Sequence, residues 1–244
     1  MARPFGNCAF TFKNGRGKPI FVPSASGRQV SEELRTKLAN FRPDPFFFHL
    51  LPGGHVGAIH ALRSKRYFAR LDFENFFYSI GRNRVARVLQ TIGVERAEYY
   101  ARWSTVKNPY GAPSYALPYG FPQSPILATL VLAHSHVGEF LREIDDRVMV
   151  SVYVDDIALA SNNLRRLNQS YRQLCQKVEE SNFRVNGEKS VAPAVRMELF
   201  NCHLEHMQTA VTAERRSQFY SEGRSARSEA AFETYCNAIA TGNA

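Results

Sequence analysis

Apolar and polar positions divide the chain into short stretches of alternating character and longer stretches with helical spacing. The region around Lys18–Val22 reads as short strands. Ser31 is a good N-cap, and Leu34, Leu38 and Phe41 then fall on one face, which predicts a helix from Ser31 to Asn40. Tyr67–Phe73 is rich in β-formers and loosely alternating, a strand ending in an aspartate. A helix from Asn83 to about Ile92 follows and stops at Gly93. Four prolines and two glycines between Trp103 and Pro122 predict a loop or hairpin. Ser124-Pro125 supplies an N-cap and a first-turn proline for a long helix reaching about Ile144.

From Arg147 to Ser161, apolar residues alternate around a polar centre. This predicts a β-hairpin with Asp155 and Asp156 at its tip. Residues 162–181 read as a helix, 183–206 as short strands, and Ala213–Tyr220 and Ser228–Ala240 as two short helices. Strand, helix, helix, hairpin, helix, strands is the order of an α+β fold, with helices packed on a mostly antiparallel sheet. No internal repeat interrupts it.

Composition adds limits. The 244 residues are 44% hydrophobic, enough to bury one large domain or two small ones. With no run of 18 apolar residues and no apolar signal core after Met1, the expected location is the cytoplasm. Cys8, Cys175, Cys202 and Cys236 are scattered and fit idle thiols in a reducing compartment. A net charge of +9 comes in groups: Lys13, Arg16 and Lys18; Arg63, Lys65, Arg66 and Arg70; Arg82, Arg84 and Arg87; Arg215, Arg216, Arg224 and Arg227. A polyanionic partner follows naturally, because each neutralised phosphate releases counterions.

The Asp155-Asp156 pair carries the chemistry. Two adjacent carboxylates in an apolar hairpin repel each other and lose hydration; a shared divalent cation removes both penalties. A solvated polar turn is the competing reading. Asp72, which ends another apolar strand 83 positions upstream of Asp155 (155 minus 72), shifts the balance if the two strand units lie side by side. Oxygen-only ligation suits Mg²⁺. Two such ions roughly 3.5–4 Å apart can activate an attacking hydroxyl and stabilise a leaving pyrophosphate.

Four segments then point to a family. Tyr153-Val154-Asp155-Asp156 resembles the metal-binding hairpin of reverse transcriptases, and Leu71–Ile80 resembles their first aspartate motif in its bacterial form. Leu117–Pro125 resembles the loop-and-helix motif between them, and Asn186-Gly187-Glu188-Lys189 the following Asn-x-x-Lys segment. Lys18–Pro23 is more loosely similar to the fingers segment that opens such domains. The resemblance implies a right-hand polymerase palm, an antiparallel sheet with helices on one face, with small fingers and a minimal thumb. It places a fingers-like region over 1–70, the palm over 71–206 with a fingers insertion at about 82–116, and the thumb or a C-terminal extension over 207–244.

It also implies roles. Asp72 and Asp155 would bridge two Mg²⁺ ions, with Mn²⁺ as substitute; Asp156 would support them and the Phe73 carbonyl would add a ligand. Phe77 matches an aromatic steric gate against a ribose 2′-OH, so the substrate would be a dNTP. Lys18 and Arg16 would reach the triphosphate, Tyr119 and Gly120 would line the nucleotide, and Lys189 would protonate pyrophosphate. Tyr119 stands where the family usually carries Gln in Leu-Pro-Gln-Gly, which brings template-independent or protein-primed synthesis into view as a rival to RNA-templated synthesis. A Val-Thr-Gly element typical of retron enzymes is not evident, nor is an RNase H-like or endonuclease segment. The remaining likeness is to diverse bacterial enzymes, many in antiviral defence systems. RNA template and DNA product are the implied partners, with a non-coding RNA or a companion protein as further candidates. A catalytically idle nucleic-acid-binding subunit is the non-enzyme alternative.

Overall fold

The structure is a computed structural model and describes residues 6–15, 17–144 and 146–243. In chain order it contains β1 (Cys8–Lys13), β2 (Pro19–Pro23), α1 (Ala25–Lys37), α2 (Gly54–Leu62), β3 (Tyr67–Asp72), α3 (Phe76–Ser79), α4 (Arg82–Thr91) and α5 (Ala97–Ser104). There follow β4 (Val106–Lys107), β5 (Tyr115–Ala116), α6 (Ser124–Ala133), α7 (His136–Glu143), β6 (Val148–Tyr153), β7 (Asp156–Ser161) and α8 (Leu164–Glu180). The chain closes with β8 (Val191–Ala194), β9 (Arg196–Leu199), β10 (Cys202–Glu205), β11 (Gln208–Val211), α9 (Ala213–Ser221) and α10 (Ala226–Ala240). The backbone divides into two compact units. One gathers residues 1–42, 74–139 and 180–184, the other 43–73, 140–179 and 185–244.

The first unit is mainly helical. β1 and β2 form an antiparallel hairpin, with Thr11 opposite Phe21. Val30 and Leu34 of α1, Val85 and Leu89 of α4 and Tyr100 of α5 are buried, and α6 is buried almost all round, as a helix apolar on every face must be. Several helix boundaries differ from the sequence expectation. α1 starts six residues before Ser31, because the Ser24 side chain accepts the Gly27 N–H at 3.0 Å and so caps the helix there. Gly27, without a Cβ, lets the Asn7 carbonyl approach to where a Cβ would sit 2.5 Å away.

The expected long helix to Ile144 is two helices. Ser135 N–H bonds back to the Leu132 carbonyl at 3.1 Å and its Oγ donates to the same oxygen at 2.7 Å, closing α6; the Ser135 carbonyl then opens α7 by accepting Glu139 N–H. Gly138 permits the bend, since a Cβ there would lie 2.3 Å from the Ala133 carbonyl. At the other end, Gln123 rather than Ser124 flanks α6.

The second unit holds two antiparallel sheets, in the orders β6-β7-β3-β8 and β11-β10-β9. The alternation of β9, β10 and β11 turns Met197, Leu199, Leu204 and Val211 inward. They join Ile59 and Leu62 of α2, Phe68 of β3, Ala158 and Ala160 of β7, and Phe219, Phe232 and Ile239 of α9 and α10 in one core. Phe219 stacks on Phe232 with ring centroids 4.0 Å apart. Among the described residues, no helix is long and apolar enough to cross a membrane.

Candidate active site

The second unit brings two of the three aspartates face to face. β3 runs antiparallel to β7 in a register that sets Asp72 directly opposite Asp156, one step from the turn Val154-Asp155 that joins β6 to β7. Phe73 N–H reaches the Asp155 carbonyl at 3.4 Å, so the residue after Asp72 also meets the turn. The Asp72 carboxylate is almost fully buried and its backbone is held at both ends: its N–H donates to Ser190 Oγ at 3.1 Å and its carbonyl accepts Asn186 N–H at 2.8 Å. The Asn186–Ser190 loop is thereby tied to the end of β3, with Lys189 exposed on it.

Arg70 governs the electrostatics. It precedes Asp72 by two residues, so strand alternation puts both on one face. Its Nε and Nη2 lie 2.7 and 2.6 Å from Asp156 Oδ1, and Nη2 lies 3.8 Å from Asp72 Oδ2. Burial pushes the Asp156 carboxyl up to about 6; Arg70 opposes that shift, while Asp155 and Asp72 reinforce it. One guanidinium thus serves a crowd of carboxylates. Among the described residues, no three Asp, Glu, His or Cys side chains are drawn into a finished metal cage. The donor chemistry nonetheless fits a hard divalent ion: the oxygens of Asp72, Asp155 and Asp156 and the Phe73 carbonyl are all of the type Mg²⁺ takes.

The turn itself is strained. Val154 has φ +57°, a left-handed conformation unusual for a β-branched residue. Its N–H reaches His49 Nδ1 at 3.1 Å, and the same ring nitrogen lies 3.4 Å from the Val152 carbonyl, so His49 braces the turn from both sides of Tyr153. Residues 46–49 lie along β6, where Val152 N–H bonds to the Phe46 carbonyl at 2.7 Å. Burial lowers the His49 pKa and so favours the neutral ring that can accept this bond. Sequence reasoning missed both supporting side chains. Arg70 carried a signal in its i, i+2 spacing from Asp72, whereas His49 meets a turn 105 positions away and carried none.

The first unit assembles the expected nucleotide-side residues. Phe77 on α3 is buried and meets the Tyr119 ring edge-on at 4.8 Å. Lys18 Nζ sits 5.3 Å from the centre of that ring, and the Tyr119 carbonyl accepts Phe21 N–H at 2.9 Å. Gly120, at φ +101°, cannot be replaced without collision, since a Cβ would lie 2.3 Å from the Phe21 carbonyl. Lys18, Phe77, Tyr119 and Gly120 are therefore neighbours. Arg16 lies outside the described residues.

Solved structures similar to the chain share its fold at low identity. A foamy viral protease-reverse transcriptase in complex with an RNA/DNA hybrid matches with a TM-score of 0.53 and 14% identity over 88% of this chain and 24% of its own. Apo telomerase from Candida tropicalis, truncated from its C-terminal domain, matches with a TM-score of 0.56 and 14% identity over 84% of this chain and 55% of its own. Telomerase from Candida albicans, in complex with a fragment of telomeric RNA, gives 0.54 and 11% over 76% and 38%. The chain thus spans about a quarter of the viral protein and about half of the first telomerase. No curated protein sequence matches it significantly. The α+β architecture with antiparallel sheets is the right-hand polymerase fold expected from the motifs. The model of the family described as reverse transcriptase (RNA-dependent DNA polymerase) matches residues 13–211, and the chain belongs to that family.

Proposed function

We propose that the chain is an RNA-directed DNA polymerase that joins a dNTP to a 3′-OH, with RNA as template and DNA as product. The observation that carries this reading is the register pairing of Asp72 with Asp156 beside the Val154-Asp155 turn. Asp72, Asp155 and Asp156, with the Phe73 carbonyl, would hold divalent ions, Mg²⁺ or in its place Mn²⁺. Bound there, such ions supply charge that activates the attacking hydroxyl and neutralises the leaving pyrophosphate. The protein's own part is positioning: Arg70 and Ser190 hold Asp156 and Asp72, and His49 holds the turn. Phe77, braced by Tyr119, would exclude a ribose 2′-OH, Lys18 would meet the triphosphate, and Lys189 would lend a proton to pyrophosphate.

On this reading residues 1–70 act as fingers, 71–206 as palm and 207–244 as a minimal thumb, with α9 and α10 anchored in the core of the second unit. A second reading, template-independent or protein-primed synthesis, is favoured by one observation: an aromatic ring, Tyr119, stands against Phe77 where the family motif carries an amide.

Primer extension separates the readings. Purified protein is given primed or unprimed RNA, Mg²⁺ and either dNTPs or rNTPs, beside Asp155→Ala. Template-copied dNTP incorporation, lost in Asp155→Ala, is the expected result. Incorporation without template would support the second reading, and RNA binding with no incorporation would leave only an idle binding subunit. Phe77→Ala should raise rNTP use; unchanged rejection of rNTPs would remove that ring from the gate.

A further inference from the structure

The first unit contains a cavity of about 890 Å³ whose charge runs opposite to that of the aspartate site. Arg82, Arg84 and Arg184 line it together with Tyr78, Tyr110 and Tyr115. Asp72, Asp155, Asp156, Phe77 and Tyr119 do not. Three observations set the cavity apart.

First, among the described residues none of its three arginines is ion-paired to a carboxylate, although Glu74 is part of the same wall. Arg82 donates to Thr105 Oγ1 at 2.9 Å and lies 3.9 Å over the Tyr115 ring; Arg84 lies 4.3 Å over the Phe183 ring. Ring faces soften a charge but do not neutralise it. Second, Arg84 Nη1 is sealed from solvent and has no hydrogen-bond partner. A buried guanidinium N–H without an acceptor costs stability, so this side chain is held in place without compensation from the protein. Burial, reinforced by Arg87, pushes the Arg84 pKa down to about 10, in keeping with an uncompensated cation.

Third, Arg82 and Arg84 stand in the first turn of the ten-residue helix α4, which has no side-chain cap and no acidic residue there. Cations at the positive end of a helix are unfavourable, and Asp or Glu is the usual choice. Three locally unfavourable choices converging on one cavity are expected where a ligand completes the set. The missing component is an anion, and guanidinium forks with first-turn N–H groups are the donors that phosphate takes.

The rest of the wall indicates what the phosphate is attached to. Tyr110 and Tyr115 are 51% and 44% exposed, which leaves ring surface open for a base to stack on. Tyr110 sits on the loop between β4 and β5, backed edge-on by the buried Tyr78 at 5.1 Å, and Tyr115 opens β5. Flat rings next to arginines are the combination that binds a base and its phosphate at once. Asn75 and Asn83 add amides that can pair with the edge of a base. The volume suits one such ligand.

We propose that this cavity is a second, non-catalytic site for a phosphorylated nucleoside, with the phosphate on Arg84 and Arg184 and the base against Tyr110 and Tyr115. The ligand is either a free nucleotide or the 5′-terminal nucleotide of a strand, which offer the same chemistry.

Equilibrium binding on the full chain in EDTA tests it, with Asp155→Ala as background so that nucleotide held through divalent ions at the aspartates does not contribute. The probes are radiolabelled dATP, inorganic pyrophosphate, and a short oligonucleotide with a 5′-phosphate or a 5′-hydroxyl. Saturable binding of dATP at one per chain is expected. It should weaken at least about tenfold in Arg84→Gln/Arg184→Gln, stay within about threefold in Arg84→Lys, and weaken several-fold in Tyr110→Ala/Tyr115→Ala. If the 5′-phosphorylated oligonucleotide competes and its 5′-hydroxyl counterpart does not, the strand end is the source; if neither competes, it is the free nucleotide. The proposal is overturned if dATP fails to saturate, or if Arg84→Gln/Arg184→Gln binds as tightly as its parent while circular dichroism shows both folded. Pyrophosphate binding as tightly as dATP, with no loss in the tyrosine variant, would overturn the nucleoside assignment. None of these outcomes depends on polymerase activity, so the site stands or falls apart from the proposed function.

Discussion

Asp156 and Arg84 are both largely withdrawn from water, and both have pKa values moved toward the neutral form by burial. Their surroundings differ. Asp156 shares its corner of the second unit with Asp72 and Asp155 and has a guanidinium in contact. Arg84, in the first unit, has other arginines around its cavity and an aromatic ring in contact. The carboxylate site therefore carries part of its own compensation, and the arginine site carries almost none. A buried charge with a partner resists loss of that partner, whereas a buried charge without one is a standing cost. Substitutions that remove a cation should thus act in opposite directions in the two units.

The largest effect is expected at Arg70. Replacing it by Met keeps most of the side-chain volume but leaves Asp156 and Asp72 without a counter-charge, and breaking a buried pair in this way costs about 3–5 kcal/mol. Urea unfolding in EDTA at pH 8 should show that loss, and millimolar Mg²⁺ should restore much of it, since a divalent ion can take over the neutralising role. An Arg70→Met protein as stable as wild type in EDTA would mean that the carboxylates do not depend on the guanidinium.

Next comes pH. The Asp156 carboxyl rises from 3.8 to about 6, so between those values the folded chain keeps a proton that the unfolded chain has released. Its contribution to stability is complete below pH 4 and is lost as the pH climbs through 6, about 3 kcal/mol in all. His49 and His55 are lowered by burial and contribute the opposite slope, stability lost as the pH falls through 6.5 and below. The informative quantity is therefore the difference between wild type and Asp156→Asn across pH 4–8 without metal. Wild type should lose ground steadily relative to the variant as the pH rises; a flat difference would mean that Asp156 titrates as an ordinary carboxyl.

How far these features could be read from sequence follows from the range of the interactions that make them. The hairpin at Arg147–Ser161 was legible because alternation and a polar turn are local, and β6 and β7 lie within it. The strand ending at Asp72 was legible for the same reason. The start of α1 was not, because Gly27 and Ser24 look like loop residues until the Asn7 carbonyl comes against the helix. Nor was the break between α6 and α7, since apolar spacing continues past Ser135 and only its own backbone bonds reveal the stop. At the site, the carboxylates announced themselves as polar residues in apolar strands, while His49 acts on them through a fold-level contact with Val154.

That contact gives a smaller prediction. His49→Phe keeps the ring but removes the acceptor for Val154 N–H, leaving a half-buried donor unpaired in a strained turn, at a cost of about 1–3 kcal/mol. Because the turn sits between β6 and Asp156, kcat in primer extension should fall while the KM for dNTP stays nearly constant. His49→Asn offers an acceptor again and should recover part of the rate. Equal losses in both variants, or a change confined to KM, would assign His49 to packing alone.

The smallest expected effect is the one that decides the comparison, because its sign is reversed. Arg84→Met retains a long apolar side chain over Phe183 and removes the sealed Nη1 that has no acceptor. Removing an unsatisfied buried donor recovers about 1–3 kcal/mol, while the cation–π contact that is lost is worth about 0.5–1 kcal/mol. Losing a positive charge from the first turn of α4 adds a few tenths of a kcal/mol in favour of the variant. The net result should be a gain of about 1 kcal/mol in phosphate-free buffer, visible as a rise of a few degrees in Tm. Adding dATP in EDTA should then stabilise wild type and not the variant, since only a ligand bound by the folded form shifts the midpoint. At sufficient ligand the order of the two proteins should reverse. A variant less stable than wild type from the outset would show that Arg84 is held by contacts of its own and that its cavity lacks nothing.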